Sequence, residues 1–175
     1  MVLGSDKIFE LIHTENLIEN LNDGFIIEGC TVDFRLDSIF KHEGEAVLME
    51  DRRNTGKVIE ENYDENLCYY LQPSIPYLLS TIEKVNIPNN IVMLIDTRTT
   101  MFRSGIILKA TYTNPGYSGI LTFMAINTTK KPVLIQQGFR IAQAGFMQIE
   151  GKITPYCGRW QEGRIHTANE FVGSR

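Results

Sequence analysis

The stretch Asp96-Thr97-Arg98-Thr99-Thr100-Met101-Phe102-Arg103-Ser104-Gly105 is followed by Asn114-Pro115-Gly116-Tyr117-Ser118-Gly119 and then by Arg140-Ile141-Ala142-Gln143. The first block sets two guanidinium groups and two adjacent hydroxyls at the head of one strand. The second is a tight Gly/Pro turn, and the third adds another arginine. A guanidinium is a rigid fork of donors that matches phosphate oxygens, and threonine hydroxyls add neutral donors beside it. Alone, an Arg-Thr-Thr-x-x-Arg cluster reads as a solvated strand end; the order and spacing of the three blocks point to a polyphosphate ligand.

Outward from these blocks the chain reads as short strands. Strand-like runs at 67–71, 77–85, 91–96, 105–113, 119–127, 133–136 and 140–149 are punctuated by Pro73, Pro88, Asn114-Pro115-Gly116 and Pro132. Such spacing predicts a mainly β fold, a barrel or jelly roll. Upstream, Val32, Phe34 and Leu36 alternate with Asp33 and Arg35, the period of a half-buried strand. The N-terminus differs. Ser5-Asp6 can cap a helix with Ile8, Leu11 and Ile12 on one face, and Thr14 a second short turn presenting Leu17, Ile18 and Leu21. The charged run 41–66 predicts an exposed excursion between strands, not a binding patch. There is no internal repeat or low-complexity linker, so the expectation is a single domain over 1–175: a helical N-terminus at 1–24, a β-barrel at 25–154 and a C-terminal lid or tail at 155–175.

Composition narrows the function classes. A formal net charge of −4 argues against general attraction to nucleic acid. No apolar run reaches the ~18–20 residues of a membrane span, and the N-terminus lacks a basic-then-apolar signal pattern, which points to the cytoplasm. Cys30, Cys68 and Cys157 are odd in number and widely spaced, and His13, His42 and His166 show no ligand spacing. These patterns exclude a disulfide framework and the zinc-dependent nucleobase deaminases, and no protein-built metal site is expected.

The chain resembles the deoxycytidine triphosphate (dCTP) deaminase and deoxyuridine triphosphatase (dUTPase) superfamily. Cys30-Thr31-Val32-Asp33-Phe34-Arg35-Leu36 is similar to the Val-Asp-Leu-Arg-Leu strand of the deaminases, and Arg98 to Gly105 to their Arg-Ser-Ser-x-x-Arg-x-Gly block. Arg140-Ile141-Ala142-Gln143 resembles the Arg-x-Ala-Gln motif of the triphosphatases. Pro155-Tyr156-Cys157-Gly158-Arg159-Trp160-Gln161 resembles the Pro-Tyr-x-Gly-Lys-Tyr-Gln ending of archaeal-type deaminases, and Phe171-Val172-Gly173-Ser174 faintly resembles the triphosphatases' glycine-rich tail.

The resemblance implies a distorted dUTPase-like jelly roll, a homotrimer with sites shared between chains, and Mg²⁺ carried by the nucleotide's phosphates. It implies triphosphate contacts from Arg98, Thr99, Thr100, Arg103 and Gln143, and a lid bearing Tyr156, Arg159 and Gln161. It implies that a hairpin from Ala110 to Tyr117 reads a pyrimidine through backbone groups, with Tyr117 under the deoxyribose.

Two departures bear on chemistry. Asn114 stands where the family turn carries Asp, and Met124 where the deaminases place their proton-shuttling Glu; the 105–114 segment is also shorter. A positioned base is worth roughly 10²–10⁴ in rate, and a thioether is only a weak acceptor. Met124 reads instead as a core residue of a buried strand, and no catalytic base is assigned. Three readings stay open: an enzyme converting dCTP to dUTP or hydrolysing dUTP to dUMP, a weak or inactive nucleotide-binding relative with a regulatory role, and an unrelated β-sandwich interaction domain.

Overall fold

In the computed structural model, which describes residues 1–25, 27–165 and 170–171, an antiparallel sheet carries the fold. Its strands run in the order Ile106–Lys109, Ser118–Asn127, Pro76–Asn86, Thr31–Glu43, Arg140–Gln148 and Ile91–Thr97. The two ends of that path meet. Met93 N donates to Thr113 O at 3.1 Å and Thr113 N to Met93 O at 3.0 Å, just beyond the Ile106–Lys109 strand. The sheet therefore curls into a nearly closed barrel, which removes the exposed edges an open sheet would present. The mainly β, dUTPase-like jelly roll with a short N-terminal helix is the observed fold.

Alternation fills the barrel. Val32, Phe34 and Leu36 point inward at 0–1% exposure, as the period of two predicts. A register shift between Leu36 and Ile39 then resets the phase so that Ile39 is again inside. Phe123 and Phe146 join Phe34 from other strands, and the helix Ser5–Glu15 packs Ile8, Leu11 and Ile12 onto the same core.

Several expectations are corrected. The helix begins after Gly4, with no side-chain cap from Ser5 or Asp6. The second helical turn does not form: Asn16 takes a left-handed conformation that ends the helix, and Ile18–Glu19 pairs with Val85 and Lys84 as a strand. Leu17 and Ile18 bury better on the sheet, at 0% and 4% exposure, than on a second turn. Thr99 and Thr100 open a short helix, Thr99–Arg103, and do not sit at the head of a strand. Met124 lies on the outer face, 40% exposed, because Leu121, Phe123 and Ala125 take the inward positions of its strand.

Phe146→Ala should cost about 3–5 kcal/mol by leaving a cavity in the barrel core. Urea unfolding of the variant checks this; a loss below about 1 kcal/mol would mean the barrel interior is not packed as described.

Candidate nucleotide site

The hairpin at 110–119 is shaped by its turn residues. Tyr117 N donates to Asn114 O at 3.2 Å, Gly116 takes a positive φ of 82°, and Gly116 N donates to Ile87 O at 2.9 Å. Tyr117 anchors itself by donating its hydroxyl to Ile120 O at 2.6 Å, and its ring meets the edge of Tyr156 at 5.8 Å. Burial, followed by the neighbouring Tyr156, pushes the Tyr117 hydroxyl pKa up to about 12, against a backbone hydrogen bond from Gly163 that works the other way.

A strap from the C-terminal segment lies on this hairpin. Tyr156 N donates to Pro115 O at 2.7 Å. Gln161 uses both ends of its carboxamide: Nε2 donates to Gly116 O at 2.8 Å, and Oε1 accepts from Ser118 N at 2.9 Å. Gly119 and Gly163 make the fit possible, since a Cβ on Gly119 would sit 2.4 Å from Gly163 N and one on Gly163 would sit 2.2 Å from Ile120 Cγ1.

Hairpin and strap border a cavity of about 530 Å³. Asn114, Tyr117, Thr122, Tyr156 and Trp160 line it, together with His42, Thr55 and Val58 from the charged excursion. That excursion is mostly exposed, but part of it is cavity wall, which corrects the sequence expectation. No carboxylate is among the described residues lining this cavity.

The Arg98–Arg103 block lies apart from it. Arg98 and Arg140 both donate to the Asp33 carboxylate: Arg98 Nη1 reaches both oxygens, and Arg140 Nη1 reaches Oδ2 at 2.9 Å. Gln143 stands in the ladder between Asp33 and Asp96. Thr100 lines a separate cavity of about 310 Å³ with Leu134, Ile135 and Phe139, while Thr99 and Arg103 are exposed. Ala110 packs against the core, and Arg159 is half-buried on the strap. The structure thus brings Asn114, Tyr117 and Tyr156 to one cavity, ties Gln161 to the hairpin, and leaves Arg98, Thr99, Thr100, Arg103 and Gln143 outside it. The tail resemblance at 171–174 falls, beyond the backbone of Phe171, outside the described residues.

Sequence reasoning missed the role of Asp33. An acid on the covered outer face of an alternating strand invites a cation, so the signal was present. For Thr122 and for the wall residues His42, Thr55 and Val58 there was none.

Two measurements test this arrangement. Gln161→Ala should speed tryptic cleavage at Arg159 and Arg164, because the strap loses its side-chain tie; unchanged cleavage would dismiss the tie. A raised tyrosine pKa favours the folded state fully below the ordinary value near 10 and loses that contribution as pH climbs towards 12. Tyr117→Phe should therefore remove the last-ionising tyrosine from an absorbance titration and flatten the alkaline loss of stability between about pH 10 and 12.

The description dCTP deaminase-like attaches to a family model that matches residues 2–149. A dUMP-forming dCTP deaminase from Persephonella marina is 29% identical over 98% of this chain and 97% of its own. One from Dictyoglomus turgidum is 34% identical over 74% of this chain and 71% of its own. A probable deoxyuridine 5'-triphosphate nucleotidohydrolase from Methanopyrus kandleri is 30% identical over 68% and 77%. The crystal structure of the Agrobacterium tumefaciens 2'-deoxycytidine 5'-triphosphate deaminase superposes with a TM-score of 0.66 at 16% identity, covering 85% of this chain and 48% of that longer one, a likeness of fold. With a family match over most of its length and a barrel of the same architecture, the chain belongs to the dCTP deaminase-like family.

Proposed function

We propose that this protein binds a pyrimidine deoxynucleoside triphosphate and turns it over far more slowly than the dUMP-forming deaminases it is similar to. The observation that carries this reading is the hairpin cavity, which has aromatic and amide walls but no carboxylate among its described lining residues. Deamination of cytosine moves a proton from water to the ring and another to the departing ammonia, and neither Met124 nor Asn114 can carry it. Binding needs only the hairpin backbone, the aromatic walls and the arginines.

The base hairpin and the phosphate block line different cavities of one chain. That separation supports a homotrimer, in which one subunit's hairpin meets the Arg98–Arg103 block of the next. Phe102, Leu134 and Phe139 are 42–54% exposed near that block, apolar area that a neighbouring subunit would cover. In this arrangement Asp33 holds Arg98 and Arg140 together, and their remaining N–H groups offer donors to phosphate oxygens. Among the described residues no three His, Cys, Asp or Glu side chains converge to hold a metal; in this reading Mg²⁺ is held by the ligand's own phosphates. Such an ion would neutralise phosphate charge. A pyrimidine deoxynucleotide ligand agrees with a cytoplasmic protein.

Arg98→Ala should weaken dUTP or dCTP binding about tenfold, the conversion of one lost charge-assisted hydrogen bond. Equal affinities by calorimetry would remove Arg98 from the site. Incubation with dCTP should release ammonia only slowly; turnover at several per second would replace the weak-enzyme reading with that of a full deaminase. Light scattering should return three times the chain mass, and a monomer at micromolar concentration would defeat the shared site.

A further inference from the structure

A further cavity, of about 290 Å³, is lined by no residue of the Arg98–Arg103 block and none of the 110–119 hairpin. Its charged wall is Asp33, Arg35, Glu83 and Arg140, and Asn22 and Phe25 belong to its lining. Arg35 and Arg140 are direct partners in the antiparallel ladder between Thr31–Glu43 and Arg140–Gln148. Residues so opposed project from the same face of a sheet at close range, and like charges placed there repel. Two guanidinium groups therefore stand side by side on one cavity wall.

The acids beside them are already committed. Glu83, its side chain 1% exposed, accepts from Arg35 N at 2.7 Å and from Arg35 Nε at 2.6 Å. Asp33 accepts from Arg98 as well as from Arg140. Arg35 Nη2 donates to Asn20 O at 2.7 Å, which holds that guanidinium in place. What remains over is donors: Arg35 Nη1 and, on Arg140, Nε and Nη2 have no acceptor among the described residues. Three guanidinium groups against two carboxylates leave one positive charge. The Arg140 side chain is 56% exposed and that of Arg35 20%, so both keep surface that a ligand can reach. We propose that this cavity is a second anion site, outside the Arg98–Arg103 block, which takes a compact phosphate-class anion between Arg35 and Arg140. Guanidinium forks match phosphate oxygens, and an anion here offsets the repulsion between the paired arginines. The site stands on this geometry and goes beyond the nucleotide reading above. The same chemistry has two sources, a free phosphate or pyrophosphate and the terminal phosphate of a nucleotide.

Titration calorimetry with pyrophosphate tests the site. Arg140→Met should weaken binding about tenfold, the loss of one charge-assisted hydrogen bond. Arg35→Met alone would leave a buried carboxylate unpaired. It is therefore combined with Glu83→Gln, whose amide oxygen still accepts from the backbone N–H at position 35, and the pair should weaken pyrophosphate by a similar factor. Arg103→Ala, in the other block, should leave pyrophosphate affinity as in wild type. A second titration in saturating dUTP separates the sources. Retained pyrophosphate binding identifies a free anion as the ligand; displacement, with both variants also weaker for dUTP, identifies the nucleotide's terminal phosphate, and either result keeps the site. A wild type that does not bind pyrophosphate, variants that bind it undiminished, or a loss confined to Arg103→Ala overturns the site and leaves the nucleotide function standing on its own titrations. A protein that binds pyrophosphate through Arg35 and Arg140 but neither dUTP nor dCTP keeps this site and removes the nucleotide function instead.

Discussion

Two reciprocal backbone hydrogen bonds between Met93 and Thr113 join the ends of the sheet path, and most of what is functional here follows from that closure. Thr113 immediately precedes the Asn114-Pro115-Gly116 turn. Once its backbone is fixed to Met93, the hairpin has no freedom to swing away from the barrel mouth. Gly116 N then meets Ile87 O, and Tyr117 lies over the strand that follows. Closure holds the main-chain groups of this hairpin still, the rigidity that the base recognition proposed above requires.

Electrostatics does for Arg98 and Arg140 what closure does for the hairpin. Asp33, Arg98 and Arg140 come from three neighbouring strand regions, 65 and 107 residues apart in sequence, and meet at one carboxylate. Two arginines brought together without that anion would repel each other. With it, the group carries one net positive charge and stays partly shielded from water, a setting in which charge-assisted bonds weigh more than on an open surface. The strap acts on the opposite wall. Its tie to the hairpin is a side-chain amide answering a backbone donor and acceptor, so its strength depends little on salt.

The β character, the alternation of Val32, Phe34 and Leu36, the turn at 114–116 and the family were legible in the sequence, because each rests on local periodicity or on spaced motifs. What escaped depended on tertiary choices. Leu17 and Ile18 fit a helical face as well as a strand, and only the stretch of Pro76–Asn86 beyond its pairing with Thr31–Glu43 decides for the strand. Met124 looks like core until one knows that Phe123 and Ala125 already occupy the interior. Gln161 reads as a ligand contact from its motif, yet its carboxamide is engaged by Gly116 and Ser118. Asp33 gains its role only through two cations that lie far along the chain.

The close approach of Gly119 and Gly163 has an implication for how this chain tolerates change. Gly119 excludes a Cβ because of the Gly163 backbone, and Gly163 because of Ile120, the residue that follows Gly119, so the two act at one contact. The first alanine at either position displaces the strap, and once it is displaced the second meets open space and retains only its own backbone strain at positive φ. The two substitutions are therefore strongly coupled, the double change milder than the sum of the singles. Drift at this contact would tend to lose both glycines together, and with them the strap, leaving a barrel whose cavity stands open.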